Sequence, residues 1–123
     1  MQQEITKVAV DAMGGDNAPG ELVKGAVDAV NGRSDIKVLL VGQQDVVNRE
    51  LEKYTYPKEQ IEVVHAEEVI ETAEPPVNAI RKKKQSSIVV GMNLVKQKEA
   101  DAFVSAGSSG AILVGGQVIV GRI

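Results

Sequence analysis

Residues Val8–Gly25 read VAVDAMGGDNAPGELVKG. A short apolar run reaches Asp11, breaks into Gly14-Gly15-Asp16-Asn17, and resumes after Pro19 with helical spacing. Ile5–Ala12 is expected as a strand, nearly continuously apolar from Val8 to Val10, as buried parallel strands are. Pro19 suits the first turn of a helix, where its missing N–H would be an orphan donor in any case. Leu22, Val23, Ala26, Val27 and Val30 then form one apolar stripe, and Gly32 is the expected stop.

Outward from that stretch the pattern repeats. Ile36–Gly42, IKVLLVG, is a second buried strand, and QQDVVNRELEKY follows as a helix with Val46, Val47 and Leu51 inward. Ile61–His65, IEVVH, is a third strand. Pro75 and Pro76 punctuate the middle and open a short helical piece through VNAIRKKK. Ser86 caps the next expected helix, whose Ile88, Val89, Met92 and Val95 share a face. ADAFVSA is the fourth strand, broken by GSSG, after which AILVGGQVIVG resumes as a helix. Strands alternating with helices predict an α/β fold with a parallel sheet and helices on its faces. The chain stops on an apolar helix with neither cap nor polar tail, so residues 1–123 are expected to be the N-terminal part of a larger α/β domain.

Composition narrows the function classes. The chain has 123 residues, 43% hydrophobic and 25% charged, with a net charge of −3, which suits one globular domain. Two Tyr, one Phe and no Trp leave little for a base-stacking surface. The mildly acidic balance gives no global attraction to nucleic acid or to an anionic membrane. With no cysteine there is no disulfide framework, thiolate metal site or thiol nucleophile, which fits a cytoplasmic location. The start lacks the basic flank and apolar core of a signal peptide, and no apolar run reaches the roughly 18 residues that span a bilayer.

In open parallel sheets ligands bind beyond the carboxyl ends of the strands. Two loops here are expected at such ends: Asp11–Ala18, DAMGGDNA, and Ser105–Gly110, SAGSSG. Both run into a helix N-terminus, where unpaired N–H groups and the positive dipole end favour an anion. The plain alternative is that any βα turn uses glycines and small polar residues. The first loop lacks the Lys of a GKS/T phosphate loop and does not match G-x-G-x-x-G. Two such loops at one sheet edge tilt the balance towards an anion site. Asp11 and Asp16 oppose it, unless they anchor the loop through backbone N–H groups, the favoured reading, or join a metal site. The RKKK run, Arg81–Lys84, reads as a solvated face, a phosphate clamp by Arg81, or a patch for an acidic protein partner. His65 is the only histidine, so a serine nucleophile with a histidine base is disfavoured. A lone histidine at a strand end is more often a hydrogen-bonding or packing residue. Gly110, Gly115, Gly116 and Gly121 read as close packing of the last helix.

The stretches VAVDAMGGDNAPGELVKGA, LVG, HAEEVIE, PVNAIRKKKQSSIVVGMNLVK and ADAFVSAGSSGAILVGGQVIVGRI resemble, in that order, the N-terminal part of the bacterial fatty acid/phospholipid synthesis proteins of the PlsX (phosphate acyltransferase) family. The resemblance implies a three-layer α/β/α fold similar to phosphotransacetylases. It also implies transfer of a fatty acyl group from acyl carrier protein to inorganic phosphate, a homodimer, and a soluble protein peripherally associated with the membrane. No cofactor or metal is implied. The second loop of the family usually reads Ser-Ala-Gly-Asn-Thr-Gly, whereas Ser108 and Ser109 stand here in place of Asn and Thr. Pro75 stands where an acid is common, and Gln85 where Asp is frequent.

Taken with that resemblance, the expected site uses the amides of Gly14, Gly15, Gly107 and Gly110 to hold phosphate or the developing oxyanion. The hydroxyls of Ser105, Ser108 and Ser109 assist, with Asp16, Asn17 and Arg81 as neighbouring side chains. Arg81 and Ser108 are the candidates for a catalytic role. Three other readings compete with acyl transfer from the carrier protein: a phosphotransacetylase-like enzyme using acyl-CoA, a non-catalytic anion-binding or membrane-recruited scaffold, and an incomplete domain that has no activity by itself.

Overall fold

The structure, a computed structural model, describes residues 5–14, 18–69 and 82–105. Within them, four strands form one parallel sheet: β1 (Thr6–Asp11), β2 (Ile36–Gly42), β3 (Ile61–His65) and β4 (Ala102–Val104). Their spatial order is β3-β2-β1-β4. Three helices connect them: α1 (Gly20–Gly32), α2 (Gln44–Leu51) and α3 (Ser87–Lys96). The expected parallel α/β fold is what the chain adopts.

The apolar run of β2 explains its central place. Side chains alternate along a strand, so Val38 and Leu40 enter one core with Val23, Val27, Val47 and Leu51 of α1 and α2. Leu39 and Val41 enter another core with Ala9 of β1 and Leu94 of α3. Helices therefore cover both faces, giving three layers. The chain steps outward from β1 to β3 with α1 and α2 on one face, then crosses back beyond β1 to β4 with α3 on the other. Right-handed crossovers require that change of face when the direction of travel reverses. The reversal lies between β1 and β4.

Local signals set the element ends. Pro19 is the N-cap residue of α1, and its carbonyl accepts from the Val23 N–H at 2.9 Å. α1 ends at Gly32, the expected stop, but without a left-handed glycine cap: Gly32 is the last helical residue and Arg33 caps in an extended conformation. Arg33 then forks onto Asp35 at 2.8 and 2.6 Å, which fixes the turn into β2. Those hydrogen bonds, followed by the Arg33 charge, hold the half-buried Asp35 carboxyl below its ordinary value. α2 ends at Leu51, short of the Tyr54 that the pattern suggests, because the Lys53 and Tyr54 N–H groups bond three residues back, to Glu50 and Leu51. That tighter spacing closes the last turn.

Ser86 caps α3 as expected, its hydroxyl accepting from the Val89 N–H at 3.2 Å. The buried surface of α3 is wider than the four-residue stripe: Gly91 and Leu94 are buried too, whereas Val95 is half-buried. A helix lying flat on a sheet uses more of its circumference than a narrow stripe. Lys98 follows α3 with φ 63°, the left-handed conformation that ends many helices, and the Glu99 and Ala100 N–H groups bond back to Leu94. β4 is shorter than the expected strand. Its flank is held instead by Asp101, whose N–H donates to the Lys7 carbonyl and whose carboxylate accepts from the Lys7 N–H.

Candidate functional site at the β1–β4 crevice

The first-loop residues Asp11–Gly14 and Ser105, which opens the second loop, lie at the carboxyl edge of the sheet. The parallel register pairs Val8 with Ala102, Ala9 with Phe103 and Val10 with Val104. Continued by one residue, it sets Asp11 opposite Ser105. Both side chains fall on the α3 face, since residues two apart on a strand share a face and Ala9 and Phe103 pack there. Ser105 Oγ donates to Asp11 Oδ2 at 2.8 Å. The other carboxylate oxygen, Oδ1, accepts from the Met13 N–H at 3.0 Å. Asp11 is 1% exposed, among the most buried side chains of the described residues. A buried carboxylate persists where donors compensate its lost hydration, and here both oxygens have one. The sequence leaves Asp11 as a loop anchor or as an opponent of anions. The geometry makes it an anchor, with a second partner that the sequence does not reveal.

The loop continues over the end of β2. The Ala12 N–H reaches the Val41 carbonyl at 2.9 Å, and Gly14 is buried. Met13 folds so closely over Gly42 that a Cβ built there would lie 2.8 Å from Met13 Cγ. Gly42 is therefore required for close approach, and it lets the first loop lean across β2 rather than stand away from the sheet.

His65 ends β3 at the same edge. Its Nδ1 accepts from the Gln44 N–H at 3.2 Å, at the first turn of α2, and so satisfies a helix donor that would otherwise lack a partner. This is the hydrogen-bonding role expected of a lone histidine. Beyond it the chain stays extended: the Ala66 N–H bonds to Gly42, and Glu68 forms a parallel bridge with Ser86. That bridge has no signal in the sequence, because it joins single residues rather than two β-rich runs. It fixes the approach to α3, whose N-terminus points to the carboxyl edge like those of α1 and α2. Lys83 is drawn into the same corner, its Nζ donating to the Val69 carbonyl at 2.9 Å, so it is not part of a purely solvated face. Lys82 and Lys84 are exposed.

Of the expected site residues, the structure thus positions Gly14 and Ser105 at one crevice. Gly15, Asp16, Asn17, Arg81, Gly107, Ser108, Ser109 and Gly110 lie outside the described residues, as do most of the VNAIRKKK segment and the helix expected after GSSG. Among the described residues, no group of three or more His, Asp or Glu side chains is placed to hold a metal ion. None of the described helices is long and apolar enough to cross a membrane.

Comparison with known proteins places the sequence among named relatives. Relatives named "Phosphate acyltransferase" from Alkaliphilus oremlandii and Clostridium beijerinckii are 55% and 54% identical to the chain over 117 residues. A third, from Clostridium botulinum, is 50% identical over the same length. Each alignment covers 95% of this chain and 35% of the relative, so the chain spans about a third of their length. Residues 6–123 match the family described as "Fatty acid synthesis protein", and the chain belongs to that family.

Proposed function

We propose that the whole protein is a phosphate acyltransferase, moving a fatty acyl group from acyl carrier protein to inorganic phosphate and releasing an acyl phosphate for phospholipid synthesis. The observation that carries this reading is the Asp11–Ser105 hydrogen bond, which ties the two glycine-rich loops together at the point where the strand order reverses. In open α/β sheets that crevice is where ligands bind. The names of the relatives supply the reaction class.

The chemistry asks little of ionisable side chains. Inorganic phosphate is substantially dianionic near neutral pH and attacks the thioester carbonyl without needing a strong base. The carbon–sulfur bond breaks and the electron pair leaves on the phosphopantetheine sulfur, tolerable for a thiol whose reference pKa is about 8.5. What the protein supplies is alignment of phosphate with the carbonyl and donors for the developing oxyanion. The amides of Gly14, Gly15, Gly107 and Gly110 are the proposed donors, helped by Ser108, Ser109, Asn17 and Arg81, with Asp16 as a further substrate-binding candidate. Residues 1–123 are read as the N-terminal part of a single domain. The whole protein is read as a cytoplasmic homodimer that meets the membrane peripherally and engages the acidic carrier protein through basic surface, Lys82 and Lys84 included.

The test is a chimera in which this chain replaces the matching N-terminal part of the Alkaliphilus oremlandii relative. Acyl-phosphate formation is measured with acyl-acyl carrier protein and, separately, with acyl-CoA as donor. Turnover that saturates with phosphate and prefers the carrier protein is expected. Preference for acyl-CoA would replace the donor. A folded chimera that binds phosphate without turnover would overturn acyl transfer and favour an anion-binding scaffold.

A further inference from the structure

We propose that Asp11 is the positioning residue of the β1–β4 crevice: it accepts the hydrogen bond of the Ser105 hydroxyl and makes Ser105 a strut between the two loops rather than a donor to the bound anion. The inference rests on the anion-site reading given above and reassigns one residue within it. Ser105 carries a single hydroxyl proton, whereas a carboxylate only accepts. At 2.8 Å between Ser105 Oγ and Asp11 Oδ2, that proton is shared with the carboxylate and is not offered to a phosphate oxygen. A hydrogen bond to a carboxylate is about twice as strong as one between neutral groups, so the orientation is firmly set.

The second half of the clamp is the Met13 N–H on Oδ1, which holds the first loop at the point where it turns over Gly42. One nearly buried side chain therefore grips the start of both loops, and the β1–β4 register keeps its two partners in line. The spacing between Met13 and Ser105 follows from this clamp. On the anion-site reading, phosphate affinity depends on that spacing.

The experiment is a double-mutant cycle of Asp11→Asn and Ser105→Ala, with Ser105→Thr as the conservative variant, made in the chimera described above. Inorganic phosphate binding is read by titration calorimetry, the phosphate KM and kcat by turnover, and folding by thermal melting. Asp11→Asn keeps the shape of the side chain but offers an amide N–H to Ser105, reversing the bond. Each single variant is expected to weaken phosphate binding and raise the phosphate KM about ten- to a hundredfold, with a smaller change in kcat. The pair is expected to be strongly non-additive, since both act through one hydrogen bond. Ser105→Thr, which keeps the hydroxyl, should bind phosphate much like the parent.

Additive losses would mean that Ser105 donates to phosphate independently of Asp11 and would overturn the proposal. So would variants that melt earlier but bind phosphate unchanged, because the clamp would then be structural only. If the parent chimera binds phosphate but does not turn over, acyl transfer falls and the binding cycle still decides the role of Asp11. A folded parent that binds no phosphate overturns both.

Discussion

The two faces of the sheet are packed by different means. On the α1/α2 face, side chains from sheet and helices interdigitate: Leu40 is fully buried among Val23, Val27, Val47 and Leu51. Gly25 and Gly32 of α1 are exposed, and a Cβ added at either meets nothing within 4 Å. On the α3 face Leu94 also packs into the sheet, but at Gly91 the helix backbone itself is the packing surface. The ring of Phe103, the one phenylalanine of the chain, lies so close to Gly91 that a Cβ there would fall 2.2 Å from Cε1 and 2.6 Å from Cδ1. One face is held apart by side-chain volume and the other closes on a missing side chain. The first should fail when volume is removed, the second when it is added.

The largest expected effect tests the first half of that contrast. Leu40→Ala removes a fully buried side chain from the β2 centre and should cost about 2–5 kcal/mol, through lost burial plus the cavity that remains. Denaturant unfolding of the two proteins reads the difference. A cost below about 1 kcal/mol would mean that α1 and α2 collapse into the space, and that this face is less tightly packed than the interdigitation implies.

Gly91→Ala is the converse experiment and should cost about 1–3 kcal/mol, because the new methyl must displace an aromatic ring or the helix carrying it. Alanine is the better helix former by about 1 kcal/mol, so a net loss measures steric conflict rather than propensity. Combining it with Phe103→Leu should cost less than the sum of the two single changes, since the residues share one contact. Additive costs would place the conflict elsewhere and break the contrast. Phe103 of β4 and Ser105, which follows the strand, lie on the same face, so this contact is on the crevice side of the sheet.

Much of this was legible in the sequence. The bounds of β2 and β3 coincide with the runs Ile36–Gly42 and Ile61–His65, and β2, buried between helices, is apolar along most of its length. Ser86 announced the start of α3 by its chemistry. What stayed hidden depends on partners far along the chain. Nothing near Asp11 specifies Ser105, which lies 94 residues away and becomes its neighbour only through strand order. Nothing near Gly91 specifies Phe103, and a glycine within a helical pattern reads as a weakness until its neighbour is known. Gly32 does mark the end of α1, though not as a left-handed cap, since the chain leaves the helix through an extended Arg33. The site was legible as two loops of suitable composition. Its organising bond was not, because composition carries no strand order.

The smallest effect has the opposite sign and is the sharpest test of the comparison. Gly25 lies in the middle of α1, where glycine loses more backbone freedom on folding than alanine does. Its surroundings offer nothing to clash with a methyl group, and an open apolar hollow of about 310 Å³, lined by Val8, Val10, Leu22, Ala26 and Ile36, lies alongside. Gly25→Ala should therefore raise stability by about 0.5–1 kcal/mol, read as a higher melting temperature and an unchanged dependence on denaturant. Set beside Gly91→Ala, the same chemical change in two helices of one sheet should then have opposite signs. A loss at Gly25 would show that the backbone of α1 is covered as closely as that of α3. Both faces would then close on helix backbone, and the distinction between them would rest on Phe103 alone.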